Sequence, residues 1–250
     1  MGLGGVYLHI PFCKKKCSYC DFVSYEKHAN ANYIALLLQE YLMYQEESKN
    51  TVFDTLFIGG GTPSLISPHN FKPIIDHFLS QLPKNSFPEL TIESNPESLT
   101  LKKLQQYLHL GINRISIGVQ SFDPEVLRSV GRLHNPMEAV MAVQNAYRAG
   151  FRNINIDLIS GLPGETENSW KINQSVIDTL PLTHLSCYLL DLSSKSPMYS
   201  LIEKGFLALP DESLSLSLYN QFLEYLHHSG WKHYEISNFC KPGCECKHNM

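Results

Sequence analysis

No stretch of this 250-residue chain approaches the length of apolar sequence that crosses a bilayer, so no membrane span is expected. Charge of one sign is also scarce. Lys and Arg number 20 against 24 Asp and Glu, a formal net charge of -4, which leaves no overall basic field to draw nucleic acid. The opening Met1-Gly2-Leu3-Gly4-Gly5 has neither the charged n-region nor the apolar h-region of a signal peptide, and the expected compartment is the cytoplasm. Low-complexity tracts, linkers and repeats beyond a βα alternation are absent. The seven cysteines are an odd number, falling in two clusters plus Cys187. They fit metal or redox chemistry in a reducing compartment better than a disulfide framework.

What is there is a chain of 43% hydrophobic and 18% charged residues, long enough for one domain with a sizeable core. Val6 to Ile10 reads as a buried strand stopped by Pro11. Apolar residues at helical spacing follow from Asn32 to Glu47, and Asp54 to Ile58 is a second strand running into Gly59-Gly60-Gly61-Thr62-Pro63-Ser64. The alternation continues with a helix near Pro68 to Leu79, strand Glu89 to Ser94, helix Leu101 to His109 and strand Arg114 to Gly118. Helices at Asp123 to Val130 and Pro136 to Ala149 precede strand Asn153 to Ile159, helix Glu167 to Thr179 and strand His184 to Leu190. Six strands alternating with helices imply a parallel sheet, and at roughly 31 residues per βα unit they fill an open three-quarter barrel, (β/α)6. Ser193 to Pro197 is the best loop candidate, and Asp211 to His228 carries Leu214, Leu218, Phe222, Tyr225 and Leu226 on one stripe that should close a side of the sheet.

The chemistry centres on His9-Ile10-Pro11-Phe12-Cys13-Lys14-Lys15-Lys16-Cys17-Ser18-Tyr19-Cys20-Asp21-Phe22, which spaces Cys13, Cys17 and Cys20 as C-x3-C-x2-C after the first strand. A closed zinc site wants four ligands and an ordinary ferredoxin cluster four cysteines. Three cysteines on a four-iron cubane leave one iron open to a small molecule; the alternative is three unmodified thiols. In barrel-like folds the C-terminal ends of strands hold the site, and Glu93, Gln120, Asp157 and glycines 59 to 61 stand at such ends. Polar residues there could instead cap the following helices, as Asn95 or Thr166 would. The glycines allow main-chain groups to approach a ligand closely, and without a GK[ST] ending they are not a phosphate loop.

With these features the chain resembles the radical S-adenosylmethionine (SAM) superfamily, an α/β fold built on an open partial TIM barrel. The resemblance implies a [4Fe-4S] cluster on Cys13, Cys17 and Cys20, with Tyr7 beside it and Gly60, Gly61 and Thr62 holding the methionyl amino group of SAM. It further implies that Glu93 helps bind that amino group, Arg132 the methionyl carboxylate, and Gln120 and Asp157 the ribose hydroxyls. No catalytic residue is assigned beyond the cluster and the SAM site.

The finer resemblance is to the branch containing oxygen-independent coproporphyrinogen III oxidase (HemN) and the haem chaperone HemW. Tyr7 to Cys13, Gly59 to Ser64, Ile115 to Phe122, Gly131 to His134, Asp157 to Gly164 and Tyr234 to Phe239 carry it through nearly the whole chain. The oxidase type has a further cysteine two residues beyond the third. Phe22 stands there, and only twelve residues precede Cys13, so the haem chaperone is the favoured reading. The alternative is SAM-dependent oxidative decarboxylation of coproporphyrinogen III to protoporphyrinogen IX, and a remote third is a zinc-dependent barrel. The resemblance leaves open whether the chain is an enzyme, since HemW-like members are understood to bind haem and pass it to an acceptor protein.

Lys14, Lys15 and Lys16 would make the cluster face locally positive and help dock an acidic electron donor such as flavodoxin or ferredoxin, unless they are simply a solvated run. Cys240, Cys244, Cys246 and His248 form a second group, in which free thiols are favoured over a second metal site and His248 is a candidate haem ligand. Residues 1–230 are expected to form the barrel and 231–250 the start of a C-terminal region that is cut short. Cys187, inside an apolar strand, reads as a small buried hydrophobe.

Overall fold

The computed structural model describes residues 2–27, 30–47 and 49–250. Met1, where the reading of the N-terminus begins, lies outside the described residues. Strands β1 (Gly2–Ile10), β2 (Phe12–Cys13) and β3 (Tyr25–Glu26) precede helix α1 (Ala31–Met43). Then come β4 (Thr51–Gly60), α2 (Lys72–Ser80), β5 (Glu89–Ser94), α3 (Leu101–His109), β6 (Arg114–Gln120), α4 (Pro124–Ser129) and α5 (Pro136–Ala149). The chain continues through β7 (Asn153–Ser160), α6 (Glu167–Ile177), β8 (His184–Leu189), α7 (Pro197–Glu203), α8 (Glu212–His228), β9 (Lys232–Glu235) and β10 (Asn238–Cys240). The main sheet has the order β1-β4-β5-β6-β7-β8-β10-β9. Its first six strands are mutually parallel, as six βα units require, and the β9–β10 hairpin adds to β8 antiparallel. With β1 and β9 as its two edges, this is the open partial barrel.

Alternation along the strands sorts the side chains. Leu8, Ile10, Leu56, Ile58, Leu90, Ile92, Ile115, Ile117, Ile154, Ile156 and Leu185 point outward and are buried under the helices. Burial of these faces, at about 25 cal/mol per Å2 of apolar surface, is what holds the helices to the sheet. Helix α8 supplies Leu218, Phe222 and Leu226 to that core, with Phe222 and Trp170 of α6 4.6 Å apart between ring centroids. The inward face of the same strands is polar: Thr55, Glu89, Thr91, Glu93, Arg114, Ser116, Asn155, Asp157, His184 and Ser186 line it. A polar lumen under an apolar shell is the arrangement that lets a barrel hold a ligand.

Several boundaries differ from those read off the sequence. Helix α1 ends at Met43 rather than Glu47. The segment from Pro68 begins as a 3-10 turn (Pro68–Phe71), because Pro73 supplies no amide hydrogen to an α-helical bond from the preceding turn. The Ser193–Pro197 loop runs straight into α7, whose N-cap is Ser196, accepting from the Tyr199 amide. Cys187, within β8, is fully buried in the apolar core.

Residues 232–240 continue the barrel sheet, and the segment after them crosses its lower mouth. There Arg114 Nη1 donates to the Cys244 carbonyl at 3.4 Å, and the Glu89 carboxylate accepts from the Lys247 and His248 amides at 3.2 and 3.3 Å.

Candidate functional site

The cysteine loop leaves the top of β1 and is pinned on three sides. Short strand β2 pairs with β3, and the Tyr25 amide donates to the Pro11 carbonyl at 2.7 Å. The Met198 amide donates to the Ser18 carbonyl, and the Ser18 hydroxyl to the Val130 carbonyl. Cys13 is buried and Cys17 and Cys20 are half-buried, all three as free thiols. Burial, and next the Cys17 and Cys13 sulfurs, push the Cys20 thiol up, although the Phe22 backbone and Lys16 oppose this. Deprotonated together, three sulfurs in one loop would repel one another until a cation neutralised them. Among the described residues no three His, Cys, Asp or Glu side chains converge on one ion. A multi-iron cluster does not ask for that, since each cysteine bonds a different iron.

Beside Cys13 the end of β4 forms a cradle with no room for side chains. A Cβ on Gly61 would lie 2.8 Å from the Phe12 carbonyl oxygen and 2.9 Å from Cys13 Sγ. One on Gly59 would lie 3.0 Å from the Glu93 carboxyl carbon, and Gly60 has φ +115°, a conformation that L side chains rarely adopt. The Gly60 amide donates to Glu93 Oε2 at 2.9 Å. Burial foremost, and then the nearby Asp157 charge, push the Glu93 carboxyl up to about 8. A bound ammonium group would reverse that balance.

A chain of polar contacts runs from Cys13 to Cys17. Thr62 Oγ1 donates to Cys13 Sγ at 3.8 Å; Asn95 Nδ2 donates to Thr62 Oγ1 at 3.2 Å; Arg132 Nη2 donates to Asn95 Oδ1 at 2.9 Å; Arg132 Nη1 donates to Cys17 Sγ at 3.5 Å. Arg132 also donates to the Gly118 carbonyl, while its Nε is buried without a partner. Burial works against the Arg132 charge, but Tyr19 and Cys17 outweigh it and hold the guanidinium above its ordinary pKa. Asn95 stands at the N-cap position of the 3-10 turn Pro96–Ser98, but its side chain makes no capping bond and instead bridges Thr62 to Arg132, whereas Thr166 does cap α6, accepting from the Ser169 amide.

Asp157 lies within β7 rather than at its end, because Leu158, Ile159 and Ser160 continue the strand. It still reaches the lumen, where it accepts from Ser116 Oγ at 2.9 Å and Asn155 Nδ2 at 2.8 Å. Burial raises its carboxyl above the usual range against these hydrogen bonds. Behind it His184 contacts both Asn155 and the Tyr234 hydroxyl at 2.7 Å. The alternation Asn153-Ile-Asn155-Ile-Asp157 carries the signal for this polar layer. Gln120 ends β6 with φ +69°, and a register shift after Gly118 re-aims it. Tyr7 lies 6.0 Å from Phe57 between ring centroids, and its hydroxyl is 3.2 Å from His9 Nδ1.

His248 is inside the barrel, its ring stacked 5.0 Å from Phe57 and Nδ1 2.8 Å from Thr55 Oγ1. Cys246 Sγ donates to Glu89 Oε1 at 3.3 Å, and Cys240 is buried in β10.

Comparison with known proteins accords with this geometry. The family model for the radical SAM superfamily matches residues 7–174. The haem chaperone HemW of Bacillus subtilis (strain 168) is 35% identical over 247 residues, covering 98% of this chain and 65% of that protein. HemW of Escherichia coli (strain K12) is 35% identical over 249 residues with the same two coverages. The chain thus spans about 65% of the length of the curated relatives it matches. Among solved structures, coproporphyrinogen III oxidase (HemN) from Escherichia coli, a radical SAM enzyme, superposes with a TM-score of 0.82 at 25% identity. That match covers 97% of this chain and 56% of the oxidase.

Proposed function

The chain belongs to the radical SAM superfamily, and on that premise we propose that it is a haem chaperone of the HemW type, acting in haem and porphyrin metabolism in the cytoplasm. The family implies a [4Fe-4S] cluster and SAM. In this reading Cys13, Cys17 and Cys20 hold the cluster, and the donor set and the glycine cradle fit both groups. When bound, the two cofactors supply reductive cleavage of SAM. The chain's own residues orient the ligand. Gly60, Gly61, Thr62 and Glu93 take the methionyl amino group, Arg132 the carboxylate, and Gln120 and Asp157 the ribose, with Tyr7 at the rim.

The observation that carries the chaperone reading over the oxidase is Phe22. It occupies the place of the oxidase's additional cysteine with 68% of its surface exposed, so no fourth thiolate enters the loop. The match to HemW proteins over 98% of the chain supports the same choice. Haem would be handed to an acceptor protein. His248 as a haem ligand has only Nε2 to offer while Nδ1 is shared with Thr55.

Electrons would come from an acidic donor such as flavodoxin or ferredoxin. A cleft of about 570 Å3 opens beside Cys20, lined by Lys16, Asp21, Phe22, Tyr25 and Lys195, with Lys14 and Lys15 exposed on the same cysteine loop. This local positive charge on a chain of net charge -4 supports docking there.

The test is an anaerobic comparison on reconstituted protein of haem titration against turnover of coproporphyrinogen III with SAM and reductant. Stoichiometric haem binding without decarboxylation is expected. Decarboxylated product without haem binding refutes the chaperone and favours the oxidase.

A further inference from the structure

Behind Arg132, away from the cysteines, sit two ionisable side chains that the cofactor site does not use. His134 is buried, its side chain wholly so, and Glu97 is largely buried in the turn after β5 (Pro96–Ser98). His134 Nε2 lies 3.1 Å from the Val119 carbonyl, which only accepts, so this nitrogen carries hydrogen. Nδ1 then faces Glu97 Oε2 at 3.6 Å, and neither atom has another hydrogen-bond partner.

A bare lone pair on Nδ1 against a carboxylate in this enclosed place would be doubly unfavourable, as two acceptors facing each other and as a buried charge without a counter-charge. One proton held between Nδ1 and Oε2 resolves both. Glu97 behaves accordingly: burial raises its carboxyl, but His134, the residue's own backbone N–H and then Arg132 outweigh burial and hold it below the usual range. The pair also ties two segments together. Glu97 follows Asn95 by two residues, and His134 follows Arg132 by two, so the pair fixes the spacing between the two partners of the 2.9 Å Asn95–Arg132 bond.

We propose that Glu97 and His134 form a buried pair, joined by one shared proton, that positions Arg132, holding its guanidinium on Cys17 and on the carboxylate of SAM. The second half of this assignment rests on the SAM site proposed above; the first does not. Neither residue is among those assigned to the cofactors, so both are positioning residues, and groups of this kind behind a metal ligand typically change affinity by about ten- to a hundredfold when removed.

The test uses anaerobically reconstituted Glu97→Gln, His134→Gln and the double variant. The midpoint potential of the SAM-free cluster and the affinity for SAM are both read per cluster, so a variant that loads less iron still reports. A hydrogen bond from a cation to a ligating sulfur favours the reduced cluster. Loosening Arg132 therefore lowers the potential, whereas simply deleting a nearby anion raises it. For Glu97→Gln the expected result is a lower potential and SAM affinity weaker by about ten- to a hundredfold. The double variant should be no worse than the weaker single one. A raised potential in Glu97→Gln, or wild-type potential and affinity in both single variants, overturns the proposal. A lowered potential in a protein whose wild type does not bind SAM leaves the positioning role standing and refutes the SAM reading of Arg132.

Discussion

The Glu93 carboxylate accepts the backbone N–H of Gly60 at 2.9 Å inside the barrel, and burial there lifts its pKa from 4.5 to about 8. An acid with a raised folded pKa contributes stability that is full below its unfolded pKa and is lost as pH rises through the folded value. The thermal midpoint of the cluster-loaded protein should therefore fall between about pH 5 and pH 8. Glu165, pushed up to about 7 chiefly by burial, adds to the slope in the same direction. Glu93→Gln, which keeps an oxygen for the Gly60 amide, should flatten the fall without abolishing it. A pH profile of unfolding identical to that of the wild type would refute the raised pKa.

Gly61 faces backbone and sulfur rather than a side chain that can swing away. Gly61→Ala puts a methyl 2.8 Å from the Phe12 carbonyl oxygen and 2.9 Å from Cys13 Sγ. Relief requires moving β2 or the end of β4, at roughly 1–3 kcal/mol of strain. Iron content after reconstitution should drop, with a lower thermal midpoint. Full iron loading at unchanged stability would show that the cradle is looser than its geometry.

How far the sequence reveals this site depends on how local each signal is. Strand alternation is local and places the six parallel strands; the cysteine spacing is local too and sets three free thiols in one loop after β1. Asn95 is half legible for the same reason: followed by Pro96 and Glu97 it has the pattern of a helix start, and a 3-10 turn does begin there, but its side-chain partners Thr62 and Arg132 are 33 and 37 residues away. The segment under the barrel is less legible still, because the Glu89–Lys247 contact spans 158 positions and no periodicity encodes it. Asp157 was expected at a strand end, since a carboxylate in an apolar run looks like a terminus. Ser116 and Asn155, which shelter it within the lumen, become visible only when β6 and β7 lie side by side.

Asn95 joins Thr62 to Arg132, so removing it breaks the chain between Cys13 and Cys17 at its middle. Asn95→Ala leaves the buried guanidinium short of an acceptor, a loss of about 1–3 kcal/mol. The expected outcome is weaker SAM binding and reduced stability with the cluster retained. Asn95→Asp keeps an acceptor for Arg132 while giving up the donor to Thr62, and should recover most of the SAM affinity. Equal affinity in Asn95→Ala and wild type, measured by calorimetry under anaerobic conditions, would exclude a role for the bridge.

Lys195 is exposed on a cleft that reaches Cys20, and Lys14 and Lys15 are exposed on the cysteine loop itself, so they act on an approaching protein rather than on the fold. A steering field of this kind raises association rates by about ten- to a thousandfold at low ionic strength. Salt screens it, since the Debye length shrinks to about 3 Å at 1 M. Replacing all three lysines by glutamate should slow cluster reduction by an acidic protein donor at least about tenfold at low salt. At high salt, mutant and wild-type rates should converge. Reduction by dithionite, a small anion that needs no docking surface, controls for damage to the cluster itself and should change far less. A donor-dependent rate at low salt that is unaffected by the triple reversal would mean that the lysines are a solvated run and that the donor approaches from another face.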